Sequence, residues 1–480
     1  MWGQKQSAMI TEAMLSQLLL DINYKGKIVD SKITDDIFIL TDGIFEHYMP
    51  EKSIRQMEKN GAKSLNIKFS RMLSDLIDKH IASFFKFCNH LQNKNLKQLP
   101  NSEIKKIVVT YHNYLIKTFA YFETSTPAGT AQLVKRIQDI LKKEIKQQSL
   151  AEDYFISLSS PEELDATMQE RLDFLKLVER RKVSEKDLEH HARKYPALFF
   201  NTYDRVEVIN FLKNRLKEEA NKNYDQEKHK IDSNLREIRK KHKEIYSTIR
   251  NKKLKDCATI LQKNALDRYR LKHVWSGAEY LCLNLLKELR RRIGINFDDF
   301  IKCYLFQDIY NFLEKDIKLN TEQITDRKHC LVIHYLNKKT HYYFGKQATT
   351  YRHTLLGNQN KQLDKATSDI KGSIANKGLV QGLARVVNVK DLNQFIKDSR
   401  TFQYGEILVT TMTSPVMVPI IEKASGIITD EGGITSHAAV VSREFKIPCI
   451  VGTHGASSTI KTGDLIELDA NHGIVRILKR

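Results

Sequence analysis

Glycine and proline divide this chain. Eleven of its 20 glycines lie after residue 370, and no proline occurs between Pro196 and Pro415. A long stretch without proline and poor in glycine leaves helices uninterrupted, whereas dense glycine serves tight turns between short strands. Two architectures therefore meet near Lys371. At 480 residues the chain also exceeds what one core usually organises, so it reads as multidomain: a mostly α-helical N-terminal region followed by a C-terminal α/β domain.

Helical periodicity supports the first part. Leu271, Val274, Trp275, Ala278, Cys282, Leu285 and Leu289 recur at steps that make one buried stripe. Ile231, Leu235, Ile238, His242, Ile245 and Ile249 alternate steps of four and three, a coiled-coil-like seam in which His242 reads as structural. The run "CLVIHYLNKKTHYYFG" predicts a hairpin, and the polar stretch after it a connector. His334, His341 and His353 fit no metal-ligand spacing, so no metal site is expected. The domains expected are thus 1–205, helical; 206–325, helical with long coiled-coil-like helices; 326–370, hairpin and connector; and 371–480, α/β.

The formal charge is +20, yet residues 371–480 carry 13 Lys/Arg against 10 Asp/Glu, so the basic excess belongs to the helical part. Residues 211–260 hold 15 Lys/Arg and 8 Asp/Glu. No aromatic ladder or nucleic-acid motif accompanies them, and charged long helices are usually solvated, which disfavours nucleic acid as a partner. Six scattered cysteines read as reduced thiols. With no apolar run of membrane length, the expectation is a cytoplasmic protein that does not enter the membrane.

After Lys371 the apolar runs shorten. "VQGLARVVNV", "EILVT", "GIITD", "CIV", "DLIELD" and "GIVRIL" read as strands. Gly432-Gly433 follows the third and permits a tight turn; Thr435 or Ser436 then caps a helix running through Glu444. His437 lies in its first turn. There the helix dipole disfavours the imidazolium and stabilises an anion on or near the ring, which suits a histidine that carries a phosphoryl group.

The stretch "GEILVTTMTSPVMVPIIEKASGIITDEGGITSHAAVVSREFKIPCIVGT", with its flanks from Lys371 to Leu478, closely resembles the phosphohistidine swivelling domain of the PEP-utilising enzymes, as in phosphoenolpyruvate synthase, pyruvate phosphate dikinase and rifampin phosphotransferase. The resemblance implies that His437 is the phosphoryl-carrying nucleophile and that Gly432, Gly433, Thr435 and Ser436 form the turn presenting it. Thr435 matches a threonine that is a regulatory phosphorylation site in the plant dikinase. Arg443 reads either as a phosphate-neutralising group or as a partner of Glu431 or Glu444. "ANKG", Ala375 to Gly378, departs from the serine-proline pair frequent in the family. More loosely, Leu188 to Tyr203 and Glu288 to Glu314 are similar to the helical region that binds the acceptor in the antibiotic-modifying members.

Family enzymes add an ATP-grasp domain that phosphorylates the histidine and, in several, a phosphoenolpyruvate-binding barrel. Neither motif set is found in this sequence. The expected function is therefore a phosphotransferase component, with His437 shuttling phosphate between a separate ATP-grasp-type donor, which brings ATP and Mg, and a small-molecule acceptor such as pyruvate or an antibiotic-like compound. No cofactor is assigned to this chain itself. The alternatives are a non-catalytic interaction module built on the swivel fold and, third, a basic nucleic-acid-binding protein.

Overall fold

The computed structural model describes residues 4–16, 33–180, 182–199, 202–356, 369–387 and 392–480. Its N-terminal part is largely helical, and its C-terminal part is built on a sheet.

Six of the helices position the site. They are α1 (Ile67–Gln92), α2 (Asn101–Glu123), α3 (Pro127–Glu144), α4 (Ala166–Val178), α5 (Tyr224–Thr248) and α6 (Lys252–Leu281). Local chemistry starts most of them: Asn66, Thr126, Asp165, Asn223 and Asn251 each accept backbone N–H groups of a first turn. The stripe from Leu271 to Leu289 is buried throughout, among Phe84, Leu115 and Phe119 of α1 and α2. It spans two helices, because α6 ends at Leu281 and a further helix, Leu283–Ile293, begins after Cys282.

The seam on α5 packs against the Gln148–Leu158 helix and α4. His242 is satisfied there, with Nδ1 2.7 Å from Glu162 Oε1 and Nε2 2.8 Å from the Ser157 carbonyl oxygen.

Residues 1–205 also contribute strands. β1 (Gln4–Lys5), β2 (Asp35–Thr41) and β3 (Ile44–Tyr48) join the expected hairpin, β4 (Leu331–Leu336) and β5 (Lys339–Phe344), in an antiparallel sheet ordered β1-β3-β2-β4-β5. The sheet closes the body, since β2 pairs with β4 from the far end of the helical region. Residues expected as a connector begin instead with helix α7 (Gly345–Leu356), whose Tyr351 stacks on Tyr343 of β5 at 4.0 Å. The rest of that stretch, 357–368, lies outside the described residues.

Among the described residues the C-terminal sheet has eight strands, ordered β6-β13-β12-β8-β9-β10-β11-β7. All six strands read from the sequence are present: β8 (Leu379–Val386), β9 (Ile407–Thr410), β10 (Gly426–Thr429), β11 (Cys449–Val451), β12 (Leu465–Asp469) and β13 (Ile474–Lys479). Two short strands, β6 (Asp369–Lys371) and β7 (Ser373–Asn376), edge it. β8 to β11 run parallel, with helix α8 (His437–Glu444) crossing from β10 to β11.

The two parts share a core. Phe174, Leu198 and Tyr280 of the body pack with Met417, Ile420, Ala438 and Val441 of the C-terminal domain. Ion pairs cross the same boundary, Arg171 Nη1 to Glu422 at 2.6 Å and Lys222 to Glu422 at 2.7 Å among them. Among the described residues no helix is long and apolar enough to cross a membrane.

Candidate active site

Strand β10 ends at Thr429, whose hydroxyl donates to the Glu431 carbonyl at 2.7 Å and starts the turn. Gly432 then adopts φ +114°, a conformation that disfavours side chains. Ser436 is the cap of α8: its Oγ accepts from the Ala439 N–H at 3.3 Å. His437 is the first residue of that helix, so the sequence sets its position locally.

Tertiary packing sets its chemistry. His437 is 7% exposed. One ring nitrogen, Nδ1, lies 2.7 Å from Thr413 Oγ1, and the other, Nε2, is buried without a hydrogen-bond partner. The Tyr269 ring leans on the imidazole at 5.6 Å and 57°. Burial first, and then the charges of Lys272 and His273, hold the imidazolium well below its ordinary pKa. The ring is therefore neutral, with one nitrogen anchored and one available.

His437 faces a cavity of about 920 Å³ whose opposite walls belong to the helical body. Helix α6 supplies Arg268, Tyr269, Lys272 and Trp275, and the N-terminal sheet supplies Asp35, His47 and His334. Arg268 lies over the Phe122 ring at 4.8 Å and donates to the Ser125 carbonyl at 2.9 Å. Burial pushes its pKa down to about 10, and burial with the nearby Arg268 charge pushes Lys272 down to about 8. Among the described residues neither has a carboxylate within ion-pair distance. Two partly buried cations with no carboxylate within ion-pair distance, beside an unpartnered ring nitrogen, favour an anion on this wall of the cavity, although Asp35, Glu58 and Glu431 also line it. At the sheet end, His334 lies 2.8 Å from Asp35 and His47 lies 2.6 Å from Asp36. No group of three or more His, Cys, Asp or Glu is arranged to hold a metal ion among the described residues.

Of the residues singled out from sequence, Gly432, Ser436 and His437 line this cavity. Gly433 lies near Pro127 at the start of α3, where an added Cβ would stand 3.6 Å from the proline ring, and Thr435 is buried at 4% exposure. Arg443 points elsewhere: Nε donates to the Ala375 carbonyl at 2.9 Å and Nη2 to the Ile434 carbonyl at 2.7 Å, bracing the turn from behind. It makes no ion pair with Glu431 or Glu444 among the described residues. Thr413, Arg268, Tyr269 and Lys272 were not read from the sequence as site residues. Arg268 and Lys272 stand four apart on one helix face, a spacing that is visible but has no meaning until the histidine is placed opposite.

Comparison with known proteins identifies the C-terminal part. Residues 402–473 match the model described as PEP-utilising enzyme, mobile domain. The chain is 44% identical over 124 residues to a probable phosphoenolpyruvate synthase of Methanothermobacter thermautotrophicus, covering 25% of this chain and 17% of that protein. It is 42% identical over 127 residues to the phosphoenolpyruvate synthase of Pyrococcus furiosus, covering 26% and 15%. It is also 32% identical over 155 residues to an uncharacterized phosphotransferase of Bacillus subtilis, YvkC, covering 29% and 17%. These alignments thus span a minor share of each relative's length. The residues around His437 belong to a mobile domain of the PEP-utilising enzymes, a domain that phosphoenolpyruvate synthases and phosphotransferases carry.

Proposed function

We propose that this chain is a phosphotransferase component in which His437 Nε2 accepts a phosphoryl group and passes it to an acceptor held in the cavity of the helical body. One observation carries the reading. His437 has a tethered Nδ1 and an unpartnered Nε2, and it faces Arg268 and Lys272 in the same cavity.

With Nδ1–H donating to Thr413 Oγ1, the Nε2 lone pair is the nucleophile. It attacks phosphorus, the bond to the donor's leaving oxygen breaks, and a P–N bond forms. In the second half the acceptor attacks, the P–N bond breaks and the electron pair returns to Nε2. Arg268 and Lys272 offset the charge on the phosphoryl oxygens in both halves. A buried, enclosed His437 also keeps water from the labile phosphoramidate. The cavity volume falls in the range of sites for drug-sized molecules, which favours an acceptor larger than pyruvate. The donor in this reading is an ATP-grasp-type protein or domain outside these 480 residues, and ATP and Mg are bound there.

The test is labelling with γ- or β-labelled ATP. The chain alone is expected to take up no label; with an ATP-grasp partner it should gain base-stable, acid-labile label that His437→Ala abolishes. Label that survives His437→Ala overturns the nucleophile assignment, and efficient labelling of the chain alone overturns the separate donor.

A further inference from the structure

A second cavity, of about 420 Å³, lies on the other side of α8, between that helix, the start of α4 and α5. Its polar floor is Asp165, Arg443 and Glu444, and its walls include Leu235, Ile238 and Val440. Asp165 is 2% exposed. Its Oδ1 accepts from the N–H groups of Thr167 and Met168, both at 2.8 Å, while Oδ2 is buried without a partner. Glu444 Oε2 is likewise buried and unpartnered.

Neither carboxyl has an ion-pair partner among the described residues. The cation beside them, Arg443, spends Nε and Nη2 on backbone carbonyls, and its Nη1 is unpartnered. One guanidinium therefore faces two carboxyls. On the rim Glu237 pairs with Lys446 at 2.9 Å and Glu227 with Arg171 at 2.9 Å, while the exposed Glu163 has no ion pair among the described residues. Burial pushes Asp165 up to about 6 against the lowering effect of the Met168 and Thr167 N–H groups, and burial with the nearby Asp165 charge pushes Glu444 well above the carboxylate range against the opposing charge of Arg443. Both carboxyls therefore lack the counter-charge that a ligand's positive charge would supply.

We propose that this cavity binds a primary alkylammonium ion, its nitrogen between the Asp165 and Glu444 carboxylates and its hydrocarbon chain along Leu235, Ile238 and Val440. A bare divalent metal fits less well, because two carboxylates beside a guanidinium provide too few oxygens for a shell of six or more. Asp165 belongs to the helical body and Glu444 to the C-terminal domain, so the bound amine bridges the two and stabilises their docked arrangement.

The probe is n-hexylammonium chloride, titrated calorimetrically into the full chain, with n-hexanol as the uncharged counterpart. Saturable one-to-one binding is expected, at least about tenfold tighter than hexanol, with a rise in melting temperature. Asp165→Asn keeps the cap through its amide oxygen and should weaken binding by about tenfold or more. Glu444→Gln should act alike and serves if the first variant does not fold. His437→Ala should bind the amine as the parent does, which separates this site from the phosphoryl-transfer reading. Absence of binding to the folded parent, equal affinity for hexanol, or unchanged affinity in a folded variant overturns the proposal.

Discussion

In the proposed transfer Thr413 selects the acting nitrogen of His437, because it stands 2.7 Å from Nδ1 while Nε2 has no partner. Thr413→Val keeps the shape and removes the tether. Phosphorylation of His437, followed by mass spectrometry, is expected to fall about 10- to 100-fold, while stability drops by only about 1 kcal/mol. Lys272→Met removes a cation that lines the same cavity and acts on the ring, and should slow phosphoryl transfer by about two orders of magnitude, with little change in melting temperature. Asp165 makes a prediction of opposite kind. Its folded pKa is raised to about 6 by burial, so its contribution to stability is complete below the unfolded value near 3.8 and is lost as pH rises through about 6. Asp165→Asn should therefore match the parent in thermal melts near pH 4 and exceed it at pH 8, by up to about 3 kcal/mol. Identical pH profiles for the two proteins would contradict the burial argument. His437 was legible in the sequence because a glycine turn, a hydroxyl cap and a first-turn position are all local. Its partners were not, since Arg268, Tyr269 and Lys272 come from a helix far upstream whose own pattern reads only as core and charge.

The two glycines of the turn differ as parts of an element. At Gly432 φ is +114° and an added Cβ would stand 2.9 Å from Ser436 Cβ and Oγ, the capping group itself. Gly432→Ala should therefore displace the cap, cost about 1–3 kcal/mol and abolish His437 labelling. Gly433 meets nothing closer than Pro127 Cγ at 3.6 Å, so Gly433→Ala should fold and label nearly as the parent does. Equal behaviour of the two variants, in melts and in labelling, would refute the distinction. The strands β8 to β13 were legible because each is an apolar run between glycine or polar turns. The hairpin of β2 and β3 carried a signal that went unread: Asp42-Gly43, with φ +48° and +76°, separates two β-rich runs. β6 and β7 had no such signal, being three- and four-residue edges that form by pairing with β13 and β11.

Across the whole molecule, docking of the C-terminal domain determines what His437 can reach. Glu422 holds Arg171 at 2.6 Å and Lys222 at 2.7 Å, and Arg171 is itself 2% exposed. Glu422→Gln removes one charge from this network and leaves a buried guanidinium less compensated. The docked state should weaken, and diethylpyrocarbonate should modify His437 at least about threefold faster than in the parent, read on the His437 peptide. An unchanged rate would show that the apolar contacts alone hold the domain. The sequence by itself determined the helical stripe that begins on α6, the strands of the C-terminal sheet and the turn that presents His437. Each depends on periodicity, glycine conformation or capping, which act over a few residues. Tertiary structure alone decided that β2 closes on β4, that Arg443 braces the turn rather than facing the cavity, and that Arg268 and Lys272 stand opposite the ring. Those outcomes follow from packing and electrostatics between separate segments of the chain, and no local pattern encodes them.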